Sequence, residues 1–171
     1  CKPFDEDRNG LNIGEAAATI IYGRADSVGD NWIVAEGAIR NDASHISCPS
    51  KKGDGSYRAL RYVLKDENID NLAFVNVHGT STLYNDEMES VALTRAGLKD
   101  VPVNTLKGYY GHTMGAAGIL ETILSMASID DNTILATRGY ENCGVSCPLN
   151  ITNYNRTSDK KHFVKLISGF G

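Results

Sequence analysis

The chain has 171 residues, a formal charge of −4, 42% hydrophobic residues and 22% charged residues. That is the make-up of one ordinary globular domain, long enough to bury about 70% of its unfolded surface without covalent staples. The acidic balance and the lack of a basic stripe argue against a nucleic-acid partner, and no apolar run approaches the roughly 20 residues of a membrane span.

The N-terminal CKPFDEDRNG is acidic and polar, the wrong chemistry for a signal peptide. With no Met at position 1, the chain is expected to be a piece of something longer. Residues 16–23 (AAATIIYG) and 31–39 (NWIVAEGAI) are rich in β-branched and apolar residues and predict two strands joined by a polar turn over 27–30. A helix is predicted from about Tyr57, with Leu60, Val63 and Leu64 on one face. LAFVNV, 72–77, is a continuous apolar strand of the kind buried on both sides. NDEMESVALTRAG, 85–97, predicts an amphipathic helix with acidic residues at its start and Gly97 at its end.

VPVNT, 101–105, is a short strand, and the helix predicted within 111–129 opens on small residues. NTILA, 132–136, is a strand, 137–161 is a long irregular excursion, and HFVKLISGFG, 162–171, is the last strand. The expected fold class is α/β, a mixed β-sheet covered by helices in the order ββαβαβαββ. The four cysteines, Cys1, Cys48, Cys143 and Cys147, form no zinc spacing and no disulfide framework, so free thiols in a reducing cytoplasm are expected.

In such a sheet, ligands gather where strands deliver their carboxyl ends. His78, in VHGTST, follows one strand; Lys107 follows the next; His112 precedes the helix after it. Singly, such features have plain structural explanations: a His at a strand end as a hydrogen-bonder, a loop Lys as solvated, and a Gly-rich ending such as SGFG as relief of crowding. Glu121 lies in the apolar run ILETIL, where an unpaired carboxylate is costly, and Lys107 is its expected partner. The glycines of GYYGHTMGAAG do not match a phosphate-binding loop; residues 115–118 are read as a small-residue face for close backbone approach.

Four segments, in order, carry a family resemblance: CKPFDEDRNGLNIGEAAA, VNVHGTSTLYNDEME, KGYYGHTMGAAGILE and the terminal SGFG. Together the chain resembles the C-terminal half of a β-ketoacyl-acyl-carrier-protein synthase, a condensing enzyme of the thiolase-like fold. The resemblance covers essentially all of 1–171, as a single domain. It implies catalytic roles for His78, His112 and Lys107, and a lining of the pantetheine tunnel by Thr80 and Thr82. It also implies a gating role for Phe170 and a supporting role for Glu121. It implies decarboxylative Claisen condensation of an acyl thioester with a malonyl thioester, in fatty acid or polyketide-type biosynthesis. No cofactor is implied, because substrates arrive on the phosphopantetheine of an acyl carrier protein.

The family's nucleophilic cysteine sits at a helix N-terminus after an apolar strand, and none of the four cysteines here has that setting. The resemblance therefore implies that the nucleophile belongs to an N-terminal half outside this chain. The expected partners are that half, acyl carrier protein, and a second subunit in a homo- or heterodimer. A non-catalytic subunit resembling a chain-length factor stays open as the alternative. Ser168 stands where the family often has phenylalanine. One face of the isolated half is expected to be unusually apolar and prone to self-association.

Overall fold

The computed structural model describes residues 1–27, 29 and 31–169. At its centre is the strand β1, Leu72–Asn76, all five residues of which are buried, as a strand covered on both faces requires. It pairs in parallel with β2, Val103–Asn104, on one side and with the last strand of the chain, His162–Lys165, on the other. The register sets Asn76 beside Asn104 and beside Lys165, so three parallel strands end in one polar row. A shift in pairing between Leu72 and Phe74 lets Ala73 and Phe74 reach the same core cluster, as at a β-bulge.

Helices cover this sheet. Helix α1, Asp54–Val63, buries Gly55 and Leu60, and its first N–H is met by the Ser50 hydroxyl at 2.9 Å. Helix α2, Leu83–Arg95, buries Met88, Ala92 and Leu93, and also Asn85, Asp86 and Glu89. It ends as its sequence predicts: Gly97 takes φ 81°, and the Leu98 N–H donates back to the Leu93 carbonyl at 3.0 Å. A single turn, α3, Lys107–Tyr110, precedes a 3-10 turn at Met114–Ala116 and the long helix α4, Ala117–Asp130. The larger core cluster joins Phe4, Leu60, Val75, Val77, Leu93, Leu98 and Val103; the smaller joins Phe74, Ile129 and Ile134.

Three expectations need correction. Residues 16–23 and 31–39 form no strand among the described residues, so the leading ββ of the expected order is not formed. Their composition suits a strand, but a strand exists only when a neighbour meets its N–H and C=O groups. Instead, Ile21 and Ile39 stand 93% and 94% exposed, with Ile33, Val34 and Ile46 also exposed. Residues 31–49 arch over α1 and the last strand, leaving a cleft of about 1500 Å³, with Trp32 edge-on to Phe163 at 5.6 Å. Second, the NTILA strand shrinks to β3, Thr133–Ile134, and pairs antiparallel with β4, Arg156–Thr157, inside the excursion read as irregular; His162–Lys165 is therefore β5. Third, only part of the small-residue face is closely packed: a side chain at Gly118 would meet Ile167, whereas one at Gly115 would meet nothing. No helix among the described residues is long and apolar enough to cross a membrane.

Candidate active site

The site is built around the turn that leaves β1. The His78 and Gly79 N–H groups donate to the two oxygens of Glu89, at 2.8 and 2.7 Å. The Thr80 and Ser81 N–H groups donate to the two oxygens of Asp86, at 3.0 and 3.1 Å. Both carboxylates come from α2, one turn apart, so one helix face holds four consecutive backbone donors. The turn needs glycine at position 79: φ is 48°, and a side chain there would sit 2.6 Å from the Thr105 methyl carbon. Asp86 also accepts from the Phe4 N–H at 2.8 Å, and Asp5 accepts from the Glu141 and Asn142 N–H groups at 2.7 and 2.8 Å. The KPFD segment thus ties the 141–144 excursion to the His78 turn.

His78 is buried, and its carbonyl accepts from the Lys107 ammonium at 2.6 Å and the Thr105 hydroxyl at 3.2 Å. Lys107 and Glu121, both wholly buried, meet at 2.7 Å, the partnership the sequence implied. His112 arrives from the other side, after Gly111 at φ 81°; its N–H donates to the Asn12 carbonyl at 2.7 Å. Its Nδ1 accepts the Met114 N–H at 3.1 Å, which leaves the ring proton on Nε2. The two imidazoles stand edge-on, with centroids 5.0 Å apart at 84°. Thr80 and Thr82 share a hydroxyl contact at 2.8 Å at the start of α2. Phe170 lies outside the described residues.

Residues 32–141, more than half of the chain, match the family model described as the β-ketoacyl synthase C-terminal domain. The chain belongs to the β-ketoacyl synthase family. A 3-oxoacyl-[acyl-carrier-protein] synthase 2 of Staphylococcus aureus is 32% identical over 183 residues, covering 100% of this chain and 45% of that protein. A β-ketoacyl synthase crystal structure from Burkholderia phymatum superposes with a TM-score of 0.77 at 29% identity, covering 93% of this chain and 41% of that one. A type II polyketide ketosynthase solved in complex with its acyl-carrier protein gives 0.73 at 29% identity, covering 80% and 35%. The fold is that of the thiolase-like ketosynthases, and the chain spans less than half the length of the curated relatives it matches.

Within this ketosynthase domain the electrostatics favour uncharged rings. Burial, then the ammoniums of Lys107 and Lys165 and the His112 ring, hold the His78 imidazole down at about 2. Burial and Lys107 also lower His112, with Glu121 pulling the other way and Lys165 adding to the lowering. Burial pushes the Glu89 carboxyl up, to about 7, against the pull of the Gly79 and His78 N–H groups. Two neutral imidazoles at this separation, one with its tautomer set, can offer N–H donors to a single oxygen on which negative charge develops. His78 Nδ1 is buried with no hydrogen-bond partner among the described residues. Among the described residues, no group of three or more His, Cys, Asp or Glu is placed to hold a metal ion.

The cysteines of the ketosynthase domain are free thiols, and none opens a helix among the described residues. Cys1 is half-buried, its sulfur accepting from the Asn12 N–H at 3.4 Å; Cys48 and Cys143 are exposed. Three contributors escaped the sequence reading. Asp86 had been assigned only to the helix terminus, and Glu89 to no role; their spacing directly after HGTST was the available signal. Lys165 was the third: a lysine inside the apolar strand HFVKLIS, its side chain largely buried here, with its ammonium 2.5 Å from Glu121.

Proposed function

We propose that this chain forms the C-terminal half of a β-ketoacyl-[acyl-carrier-protein] synthase, with His78 and His112 as its decarboxylation site. A malonyl thioester loses carbon dioxide as its C–C bond breaks, leaving an enolate whose negative oxygen one ring N–H from each imidazole stabilises. The enolate carbon then attacks an acyl thioester on a cysteine thiol of the N-terminal half, forming the new C–C bond and releasing the thiolate. Lys107 fixes the His78 carbonyl and Glu121, while Thr80 and Thr82 contact the pantetheine arm that delivers the substrate from acyl carrier protein.

The observation that carries this reading is the edge-on pair of neutral imidazoles 5.0 Å apart at the carboxyl ends of parallel strands. The names of the relatives support the reaction class, and the relative solved with its acyl-carrier protein supports the partner. The exposed apolar residues of 16–49 supply a surface for the N-terminal half, so the chain alone is expected not to condense. Lys107 stands in one buried network with His78 and Glu121, and the His112 ring packs edge-on against His78, which favours the catalytic reading over a chain-length-factor-like subunit. The test is malonyl-carrier decarboxylation by the complete gene product. His78→Ala and His112→Ala are each expected to lower the rate about 10²-fold or more, the effect of losing one oxyanion donor. Undiminished decarboxylation in both variants, with parental melting temperatures, would end the proposal.

A further inference from the structure

We propose that Lys165 is a positioning residue of this site, a built-in cation that fixes the main chain at His78 and sets a positive charge beside both imidazoles. The proposal rests on the functional reading above and adds a residue to it. The Lys165 ammonium has three hydrogens and three oxygen partners: Glu121 Oε2 at 2.5 Å, the Leu166 carbonyl at 2.9 Å and the Val77 carbonyl at 3.4 Å. Lys107 takes the other Glu121 oxygen and the His78 carbonyl. One carboxylate therefore anchors two ammoniums, and these hold two successive carbonyls, one on each side of the His78 Cα. Glu89 holds the N–H between them.

The charge count gives the second half of the argument. Among the charged side chains that act on the rings, Glu121 balances Lys107, and Lys165 adds a second positive charge. The charges acting on the imidazoles are Lys107 from α3, Glu121 from α4 and Lys165 from β5, with each ring edge-on to the other, while Asp86 and Glu89 of α2 are engaged by the backbone N–H groups of the 78–81 turn. Lys165 is among the causes that lower both rings. Burial pushes its own ammonium down to about 8, with Glu121 opposing, so it is a cation at neutral pH. Its side chain is 11% exposed and borders the 1500 Å³ cleft, whereas Lys107 and Glu121 are sealed. A lysine needed only to neutralise Glu121 would be redundant with Lys107.

The experiment uses Lys165→Met, Lys165→Gln and Lys165→Arg in the complete gene product. Histidine ring titrations are followed by NMR in the substrate-free protein, beside the pH profile of malonyl-carrier decarboxylation. In Lys165→Met, the His112 titration is expected to rise by about one pH unit, as loss of a nearby like charge dictates. The acid limb of the profile is expected to rise with it, and kcat to fall about tenfold with KM unchanged. Lys165→Gln, which can still donate to a carbonyl, is expected to move the titration equally, and Lys165→Arg to leave it in place. Parental titrations in both neutral variants would overturn the proposal, and the Gln variant serves if the Met variant does not fold. The NMR reading needs no turnover, so failure of the functional reading appears separately, as a parent protein that does not decarboxylate malonyl carrier.

Discussion

Glu121 is the most exacting point at which to perturb this domain. Glu121→Ala removes the carboxylate that bridges two ammoniums and leaves Lys107, wholly buried, with the His78 carbonyl as its remaining partner among the described residues. Breaking a buried pair by deleting one member costs about 3–5 kcal/mol, because the remaining charge is uncompensated. At about 2–4 °C per kcal/mol for a domain of this size, the melting temperature falls on the order of 10 °C. Lys107→Met should cost less, since Glu121 keeps Lys165, and Lys165→Met least, because its site borders the cleft. Urea midpoints of the complete gene product give the order Glu121→Ala, Lys107→Met, Lys165→Met. The double variant Lys107→Met/Glu121→Leu, which removes both sealed charges, should recover at least half of the Glu121→Ala loss. A Glu121→Ala loss below about 1 kcal/mol, or a double variant as damaged as the sum of the singles, would refute the argument.

The depressed His78 predicts acid sensitivity. The unfolded ring binds a proton below about 6.5 while the folded ring stays neutral down to about 2, so stability is complete above 6.5 and is lost as pH falls between these limits. By pH 5 the His78 contribution is about 2 kcal/mol of lost stability. Urea unfolding at pH 7.5 and pH 5 should show it in the parent and not in His78→Gln; equal pH dependence in both would contradict it. Gly79→Ala, which forces a side chain into Thr105 at a positive φ, should cost about 2–4 kcal/mol by thermal unfolding. Gly115→Ala, with nothing near its added carbon, should unfold at the parental temperature.

What could be read in advance was what local chemistry decides. LAFVNV is apolar at every position but one and became the buried central strand. Glu121 in ILETIL had to be paired, and the nearest lysine at a strand end paired it. The meeting of His78 and His112 followed from parallel strands ending at one edge. What stayed hidden depends on partners rather than propensity. Residues 16–23 and 31–39 carry strand composition, yet no strand among the described residues pairs with them. Thr133 and Ile134 found their partner in Arg156–Thr157, two polar residues with no strand signal of their own. The KGYYGH segment was read as a loop, and its first four residues close one helical turn before Gly111 ends it. Lys165 escaped because its meaning lies in a carboxylate 44 positions away.

The two imidazoles are mechanically unequal. His78 is mortared into the sheet, with the peptide groups on both sides held by buried charges. His112 hangs on a latch of exposed chain: its N–H reaches Asn12, its carbonyl takes the Gly14 N–H, and its ring takes the N–H of Met114, whose backbone sits at φ 52° beneath an exposed side chain. Evolution therefore has two dials of different stiffness. Changes over 111–116 reset the angle and reach of the second ring while the foundation stays standing; changes over 76–81 bring down the building.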